Sequence, residues 1–185
     1  MLETELKSII TKEIYDKIKN TFKWDFSAEQ TNYYYTDTEG YLRKKRIMVR
    51  VREKNGASKL QVKLHKNSGS SLQICEENEY DVNGVPEYIS AETAMEITGI
   101  NTGRLICMGN SKTLRNSLMW DRTTEICLDK TTYFDITDYE IELEYTDTLD
   151  KELLEKLSSM GVEFKSASVG KFSRFLKKYD AQKNM

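Results

Sequence analysis

The chain has 185 residues, of which 38% are hydrophobic and 31% charged, the composition of a soluble globular protein with enough residues for one sizeable core. Its formal net charge of -2 gives no reason to expect tight binding to DNA, RNA or an anionic membrane. No apolar run is long enough to cross a membrane and the N-terminal residues are acidic, unlike a signal sequence, so we expect a single cytoplasmic domain over residues 1–185.

The first half of the chain is predicted to contain one helix and a series of strands. Met1–Ile9 alternates polar and apolar residues as a strand does, and Lys12–Phe22 has apolar residues at helical spacing after the capping residue Thr11. A strand meander follows, and its Asn55-Gly56 dipeptide is typical of a hairpin turn. The meander comprises Gln30–Thr36, Ile47–Glu53, Lys59–Lys66 and Leu72–Val82, with a Ser/Gly-rich turn over Asn67–Ser71.

The second half is predicted to add strands and three helices. Gly99 and Gly161 follow the first two of these helices, which is typical of helix C-termini. The predicted helices are Ser90–Ile97, Leu149–Met160 and Phe172–Lys178. The predicted strands are Arg104–Met108, Thr113–Met119, Thr124–Asp129, Asp138–Thr146 and Lys165–Val169.

Charges are sorted by sign along the predicted strands. Glu3–Lys7, Val49–Arg52 and Glu140–Glu144 alternate charged with mostly aliphatic residues at period two, so the charges of each strand share one face. Like charges two residues apart on a strand repel, and we therefore expect something to compensate them. A metal cation suits the carboxylate rows, and a phosphate chain suits the arginine and lysine rows.

This alternation is compatible with two architectures. Eight antiparallel strands can close into a barrel whose aliphatic faces lie outward under the helices, and the polar lumen would then be the site. Alternatively, the sheet is open and its aliphatic face packs against the helices. Its charged face is then exposed to solvent and carries only weak cross-strand ion pairs. The spacing of the residues does not decide between the two.

Several segments resemble the motifs of one family in their order along the chain. Glu3-Thr4-Glu5-Leu6-Lys7 has the form ExExK, Val49-Arg50-Val51-Arg52 resembles an LRxR strand, and Leu60-Gln61-Val62-Lys63 resembles an LTxK strand. Further matching segments are Asn32–Thr38, Ile126–Asp129, Tyr139–Glu144 and Gly170–Leu176. Together they resemble the CYTH family, the triphosphate tunnel metalloenzymes, and the small stand-alone bacterial members in particular. The likeness covers essentially the whole chain.

The resemblance implies an α+β, mostly antiparallel β fold: an eight-stranded closed tunnel with a polar, charged lumen and helices packed outside. It also implies a triphosphate and a divalent metal, Mg²⁺ or Mn²⁺, with hydrolysis or cyclisation at phosphorus. The cations assigned to the phosphates are Lys7, Arg50, Arg52, Lys63, Arg115 and Lys171. The carboxylates assigned to the metal are Glu3, Glu5, Asp129, Glu140, Glu142 and Glu144, with Glu77 and Glu79 as additional candidates. Glu5, Lys7 and Glu142 are the predicted catalytic residues, and which carboxylate acts as the base is left open.

The leading predicted function is metal-dependent hydrolysis of a small linear triphosphate: inorganic tripolyphosphate, thiamine triphosphate or a nucleoside triphosphate. The alternatives are a class IV type adenylate cyclase and a non-catalytic module that binds polyphosphate or nucleotide. Fold alone does not fix the reaction, so these rest on the resemblance. The expected partner is a small triphosphate, with neither nucleic acid nor membrane, and the protein is expected to be a monomer or a homodimer.

Overall fold

The structure is a computed structural model that describes residues 4–66, 74–164 and 169–183. The strands are β1 (Thr4–Ile10), β2 (Phe26–Thr36), β3 (Ile47–Lys54), β4 (Ala57–Lys66), β5 (Ile74–Val82), β6 (Tyr88–Ile89), β7 (Leu105–Met119), β8 (Thr124–Tyr133) and β9 (Ile136–Tyr145). The helices are α1 (Lys12–Thr21), α2 (Tyr41–Lys44), α3 (Ala91–Thr98), α4 (Lys151–Ser159) and α5 (Lys171–Lys183). None of the helices in these residues combines the length and apolarity needed to cross a bilayer.

Most predicted elements are confirmed with small shifts at their ends. Thr11 caps α1, its hydroxyl accepting a hydrogen bond from the backbone N–H of Ile14 at 3.3 Å. The predicted hairpin also forms: Lys54 pairs with Ala57, and Asn55 and Gly56 both have positive φ, as a type I′ turn requires.

Other predicted elements differ from the structure. The two strands predicted over Arg104–Met108 and Thr113–Met119 are one continuous strand, β7, and neither α2 nor β6 was predicted. The predicted turn Asn67–Ser71 lies outside the described residues. So does the predicted strand Lys165–Val169, except for Val169, which is not in a strand.

The fold is α+β with antiparallel strand pairs, as predicted, but the prediction of a closed tunnel is wrong. The hydrogen-bonded order is β1-β9-β8-β7-β2-β3-β4-β5, and β6 pairs with β7. Within the described residues β1 and β5 end this order and do not pair with each other, so the sheet is not closed into a barrel. The physical reason is that period-two alternation fixes which face a side chain occupies, whereas closure needs a hydrogen-bonded register between the end strands, which alternation does not encode.

The described residues divide into two compact units: unit 1 (residues 30–111 and 175–183) and unit 2 (residues 4–29 and 112–174). A single domain over 1–185 stays a prediction. Unit 2 has a core in which α1 and α4 cover the aliphatic residues of β8 and β9. Leu153 and Leu157 lie four residues apart on α4 and are fully buried, which stabilises the fold by about 1.5–3 kcal/mol each. The central buried residues of this core are Ile18, Ile126, Leu128, Ile141, Leu143, Leu153 and Leu157.

Unit 1 has a core of its own on the aliphatic faces of β3 and β4, together with residues of α2 and α3. Its members include Leu42, Val49, Val51, Leu60, Val62, Ala94 and Ile97. Because Val49 and Val51 are buried in this core, the alternate residues Arg50 and Arg52 face the other side of β3. The aliphatic core therefore fixes the side on which the charged residues lie.

Candidate active site

Unit 2 carries a row of carboxylates that strand register brings together. Asp129 of β8 lies directly opposite Glu140 of β9, and Glu142 lies opposite Lys7 of β1. Asp129, Glu140 and Glu142 are all buried, with exposed fractions of 0%, 1% and 7%. Three buried carboxylates need opposite charges and hydrogen bonds close by, because an isolated buried charge is very costly.

Arg115 of β7 supplies one of these opposite charges. Its guanidinium binds Asp129 in a bidentate manner, with Nε 2.9 Å from Oδ1 and Nη2 2.7 Å from Oδ2. The same group donates to Glu142 and, at 3.3 Å, to Glu144. Arg115 was predicted to bind phosphate, and in the structure its charge faces three carboxylates.

Two further cations come from the first turn of α5. The ammonium group of Lys171 lies 2.9 Å from Asp129, 2.9 Å from Glu140 and 2.5 Å from Glu142. Arg174 donates from Nε to Asp138 and from Nη2 to Glu140, both at 2.8 Å. The two residues are three apart on the helix, so both reach the same strand.

The protonation of this cluster follows from its charges. Burial by itself raises the pKa of Glu142, but the ion pairs with Lys171 and Arg115 outweigh it and hold the pKa well below its usual range. Burial by itself lowers the pKa of Lys171, but Glu142, Asp129 and Glu140 together raise it above its ordinary value. Glu142 is therefore an ionised carboxylate and Lys171 an ammonium ion at neutral pH.

Glu5 and Lys7 of β1 form an ion pair with each other. By register Glu5 lies opposite Glu144 of β9. The Glu5 side chain is 36% exposed, so it is more accessible to solvent than the buried carboxylates of β8 and β9. Glu3, the first acidic residue of the ExExK motif, lies outside the described residues.

The donor set of unit 2 suits a hard divalent cation. Oε1 of Glu140 is buried and has no hydrogen-bond partner in the described residues, which is unusual for a buried carboxylate oxygen. Oxygen ligands of this kind are preferred by Mg²⁺ and Mn²⁺. As arranged here, no group of three or more His, Cys, Asp or Glu side chains in the part of the chain that is described could hold a metal ion. Lys171 and Arg115 already contact these carboxylates, so these two side chains have to release the carboxylate oxygens before a metal ion can bind.

Unit 1 carries the second group of predicted site residues, on β3, β4 and β5. Arg50 donates from Nε to Oε1 of Gln61 at 2.6 Å, and its Nη2 lies 3.4 Å from Glu77. Lys63 lies 3.7 Å from the same Glu77 carboxylate. The Gln61 amide group donates in turn to Glu79. Arg50, Lys63, Glu77 and Glu79 are thus brought together as the alternation predicted.

Arg52 lies two residues further along β3. Its Nε donates to Oδ1 of Asn32 at 2.8 Å, and Asn32 is directly opposite Arg52 in the register of β2 and β3. The neighbouring pair Lys59 and Asp81 is largely solvent-exposed, and such pairs contribute little to stability.

Sequence reasoning missed four residues of these clusters: Asn32, Gln61, Asp138 and Arg174. The sequence contains a signal for three of them, Gln61, Asn32 and Arg174. Gln61 has the same strand parity as Lys63, and Asn32 lies within the segment Asn32–Thr38, but both are uncharged and so do not stand out in a pattern of charges. Arg174 is three residues after Lys171, the spacing at which helical side chains share a face.

A comparison of the whole sequence with protein families agrees with the strand motifs and their order. A family model for the CYTH domain matches residues 1–176. The chain belongs to the CYTH family. No curated protein sequence matches the chain.

Solved structures share the fold. A candidate adenylate cyclase from Bacillus halodurans is 21% identical, with 94% of this chain and 97% of that chain covered and a TM-score of 0.70. HpAC1 from Hippeastrum, a candidate adenylyl cyclase described as having a dominant triphosphatase activity, is 20% identical over 96% of each chain, with a TM-score of 0.73. The Mimivirus capping enzyme triphosphatase is 15% identical, with 86% of this chain and 88% of that chain covered and a TM-score of 0.52. At these identities the likeness establishes the CYTH fold and not a shared reaction.

Proposed function

We propose that this CYTH protein hydrolyses a small linear triphosphate with the help of Mg²⁺ or Mn²⁺. The observation that carries the proposal is the buried carboxylate row Asp129, Glu140 and Glu142, in which one oxygen of Glu140 is buried without a hydrogen-bond partner in the described residues. A purely structural sheet face rarely concentrates buried carboxylates in this way. The triphosphatase activity named for HpAC1 and for the Mimivirus enzyme supports the same reaction class.

The proposed metal ligands are carboxylates of unit 2. Glu5, Asp129, Glu140, Glu142 and Glu144 have the donor chemistry for the ion, and Glu3 stays a predicted ligand. When bound, the ion supplies charge that offsets the phosphate oxygens during displacement.

The proposed phosphate ligands are cations, since a triphosphate concentrates several negative charges. In unit 1 these are Arg50, Arg52 and Lys63, and the planar guanidinium groups suit bidentate contacts with phosphate oxygens. In unit 2, Lys7, Arg115 and Lys171 stay predicted phosphate ligands. For Arg115 and Lys171 this role requires exchange of carboxylate contacts for phosphate contacts.

Glu5 is the proposed general base. Glu142 is buried and forms ion pairs with Lys171 and Arg115, whereas a general base must reach a water molecule beside the phosphate. Glu5 is half-exposed and has Lys7 as its ion-pair partner. In the proposed step the water oxygen attacks the terminal phosphorus in line, Glu5 takes the water proton, and the bond from that phosphorus to the bridging oxygen breaks. The products are orthophosphate and the remaining phosphate chain.

The test is phosphate release by the purified protein from tripolyphosphate, thiamine triphosphate and ATP, with Mg²⁺, with Mn²⁺ and with chelator. Metal-dependent release of orthophosphate without cyclic AMP is the expected result. Cyclic AMP with pyrophosphate from ATP would establish the cyclase instead, and binding of triphosphate without turnover would establish the non-catalytic module.

A pair of matched variants makes the test specific to the base. Glu5→Gln should reduce turnover at least about 100-fold, the scale of general base catalysis, while it keeps the shape of the side chain. Glu29→Gln is the control, because Glu29 is also paired with a lysine, Lys112, but is exposed and not in the carboxylate row. Wild-type turnover in Glu5→Gln would remove Glu5 from the catalytic assignment.

A further inference from the structure

Both arginines of β3 are held at the same atom by the same kind of group. The Nε of Arg50 donates to Oε1 of Gln61 at 2.6 Å, and the Nε of Arg52 donates to Oδ1 of Asn32 at 2.8 Å. The two amides come from the strands on either side of β3, and each lies directly opposite its arginine in the strand register. Gln61 is 3% exposed and Asn32 is 1% exposed, so both are fixed in buried positions.

Arg115 of unit 2, in contrast, is held at Nε by a carboxylate instead of an amide. Its Nε donates to Asp129, a fully buried carboxylate, and the same guanidinium also contacts Glu142 and Glu144. A carboxylate acceptor orients an arginine and cancels its charge at the same time. An amide oxygen orients the arginine without cancelling its charge at that contact, because the amide is neutral.

Gln61 also separates a guanidinium from a carboxylate. In the register it lies between Arg50 of β3 and Glu79 of β5, and its amide accepts from Arg50 and donates to Glu79. The carboxylate of Glu77 lies 3.4 Å from Nη2 of Arg50 and also pairs with Lys63. Glu77 thus faces two cations, while Glu79 contacts the amide of Gln61, which stands between it and Arg50 in the register.

We propose that Asn32 and Gln61 are positioning residues that fix the direction of Arg52 and Arg50 toward a phosphate chain through neutral acceptors, which add no negative charge of their own at these contacts. The proposal rests on the triphosphate-binding function proposed above. A guanidinium is planar, so holding Nε sets where its two Nη groups point, and those groups make the bidentate contacts that phosphate oxygens accept.

The decisive experiment compares Asn32→Asp with Asn32→Ala. Asp keeps the size and the acceptor of Asn but adds a negative charge, whereas Ala removes the acceptor. If Asn32 has only a structural role, Asp should bind the Nε of Arg52 at least as well as Asn does. The variants should then rank in the same order by tripolyphosphate affinity as by stability. If Asn32 positions a phosphate-binding arginine, Asp should bind tripolyphosphate more weakly than Ala does, although it is the more stable of the two variants.

The measurements are the dissociation constant for tripolyphosphate by calorimetry and the urea midpoint of each variant. We expect Asn32→Asp to weaken binding by more than about tenfold relative to wild type, the scale of one charge-assisted hydrogen bond. Gln30→Glu is the control, since Gln30 is also buried and lies two residues away on the same face of β2. This substitution adds the same negative charge, but opposite Lys54 instead of Arg52. It should weaken binding less than Asn32→Asp.

A double-mutant cycle tests whether Asn32 acts through Arg52. The loss of affinity caused by Asn32→Ala should largely disappear in an Arg52→Ala background, because a positioning residue has no effect once its arginine is absent. An undiminished loss would overturn the proposal. So would Asn32→Asp binding as tightly as wild type, and in both cases the triphosphate function would stand. Failure of the wild-type protein to bind tripolyphosphate would overturn both.

Discussion

The ammonium group of Lys171 lies 2.9 Å from Oδ2 of Asp129, a carboxylate that is fully buried between β7 and β9. The same ammonium contacts Glu140 and Glu142, so one side chain of α5 compensates three acids of the strands. Removal of a cation that is shared by several buried carboxylates is strongly destabilising, whereas loss of an exposed ion pair costs little. Lys171 should therefore affect stability far more than a surface lysine does.

Lys171→Met should lower the free energy of unfolding by about 3–5 kcal/mol, because it leaves buried carboxylates with less positive charge than they need. Urea unfolding at neutral pH measures this directly. Lys112→Met is the control, since Lys112 pairs with Glu29 at 2.6 Å but both side chains are more than half exposed. It should cost less than about 1 kcal/mol. Equal losses in the two variants would contradict the role given to Lys171.

Acid should destabilise the protein through Glu142. Its pKa in the folded chain is held well below the ordinary value of 4.5, so the folded state resists protonation and the unfolded state does not. The stability that this carboxylate contributes is fully present above about pH 4.5 and is lost progressively as the pH falls below that value. We expect urea midpoints to fall steeply between about pH 4.5 and pH 3.

Glu142→Gln isolates this contribution, because an amide does not titrate. The variant should be less stable than wild type at neutral pH, since Arg115 and Lys171 each lose a charged partner. Its stability should also fall less than that of the wild type on acidification. A parallel loss in the two proteins over the whole acid range would show that Glu142 is not the group responsible.

The sequence allowed most of the strands and the faces of their charged residues to be predicted, because alternation has a direct physical cause. Once Val49 and Val51 are buried, Arg50 and Arg52 have to lie on the opposite face, and the Asn55-Gly56 turn fixes the register with β4. Asn32 and Gln61, the neutral partners of the arginines, carry no charge, so the sorting of charges along the strands does not distinguish them.

Closure of the sheet could not be predicted from the same pattern. An open and a closed sheet place Glu142 and Arg50 on the same faces of their strands, and only the pairing of the end strands distinguishes them. Nor could the sequence predict which cation meets which acid. Arg115 and Arg52 both follow an apolar residue on a strand, yet the Nε of the first donates to a carboxylate and the Nε of the second donates to an amide.

Arg115 and Arg52 should therefore respond differently to the same substitution. Arg115→Gln removes a bidentate partner from buried Asp129 and should lower the free energy of unfolding by about 3–5 kcal/mol. Among the contacts of Arg52, Arg52→Gln removes the Nε hydrogen bond to a neutral amide, which by itself should cost about 0.5–1.5 kcal/mol, and the substitution should chiefly weaken tripolyphosphate binding. Urea unfolding and calorimetric titration of both variants separate the two effects. A larger stability loss for Arg52→Gln than for Arg115→Gln would reverse this assignment.

Phe175 of α5 provides a test of packing in unit 1. Its side chain is fully buried, and its ring centroid lies 4.7 Å from that of Tyr34 on β2. Phe175→Ala should lower the free energy of unfolding by about 3–5 kcal/mol, because it removes a buried ring and leaves a cavity beside Tyr34. Tyr179→Ala is the control: the Tyr179 ring stacks on Phe175 with centroids 6.4 Å apart but is only partly buried, so its loss should cost less. Hydrogen exchange should be faster along α5 in Phe175→Ala, and unchanged exchange there would contradict the view that Phe175 anchors this helix.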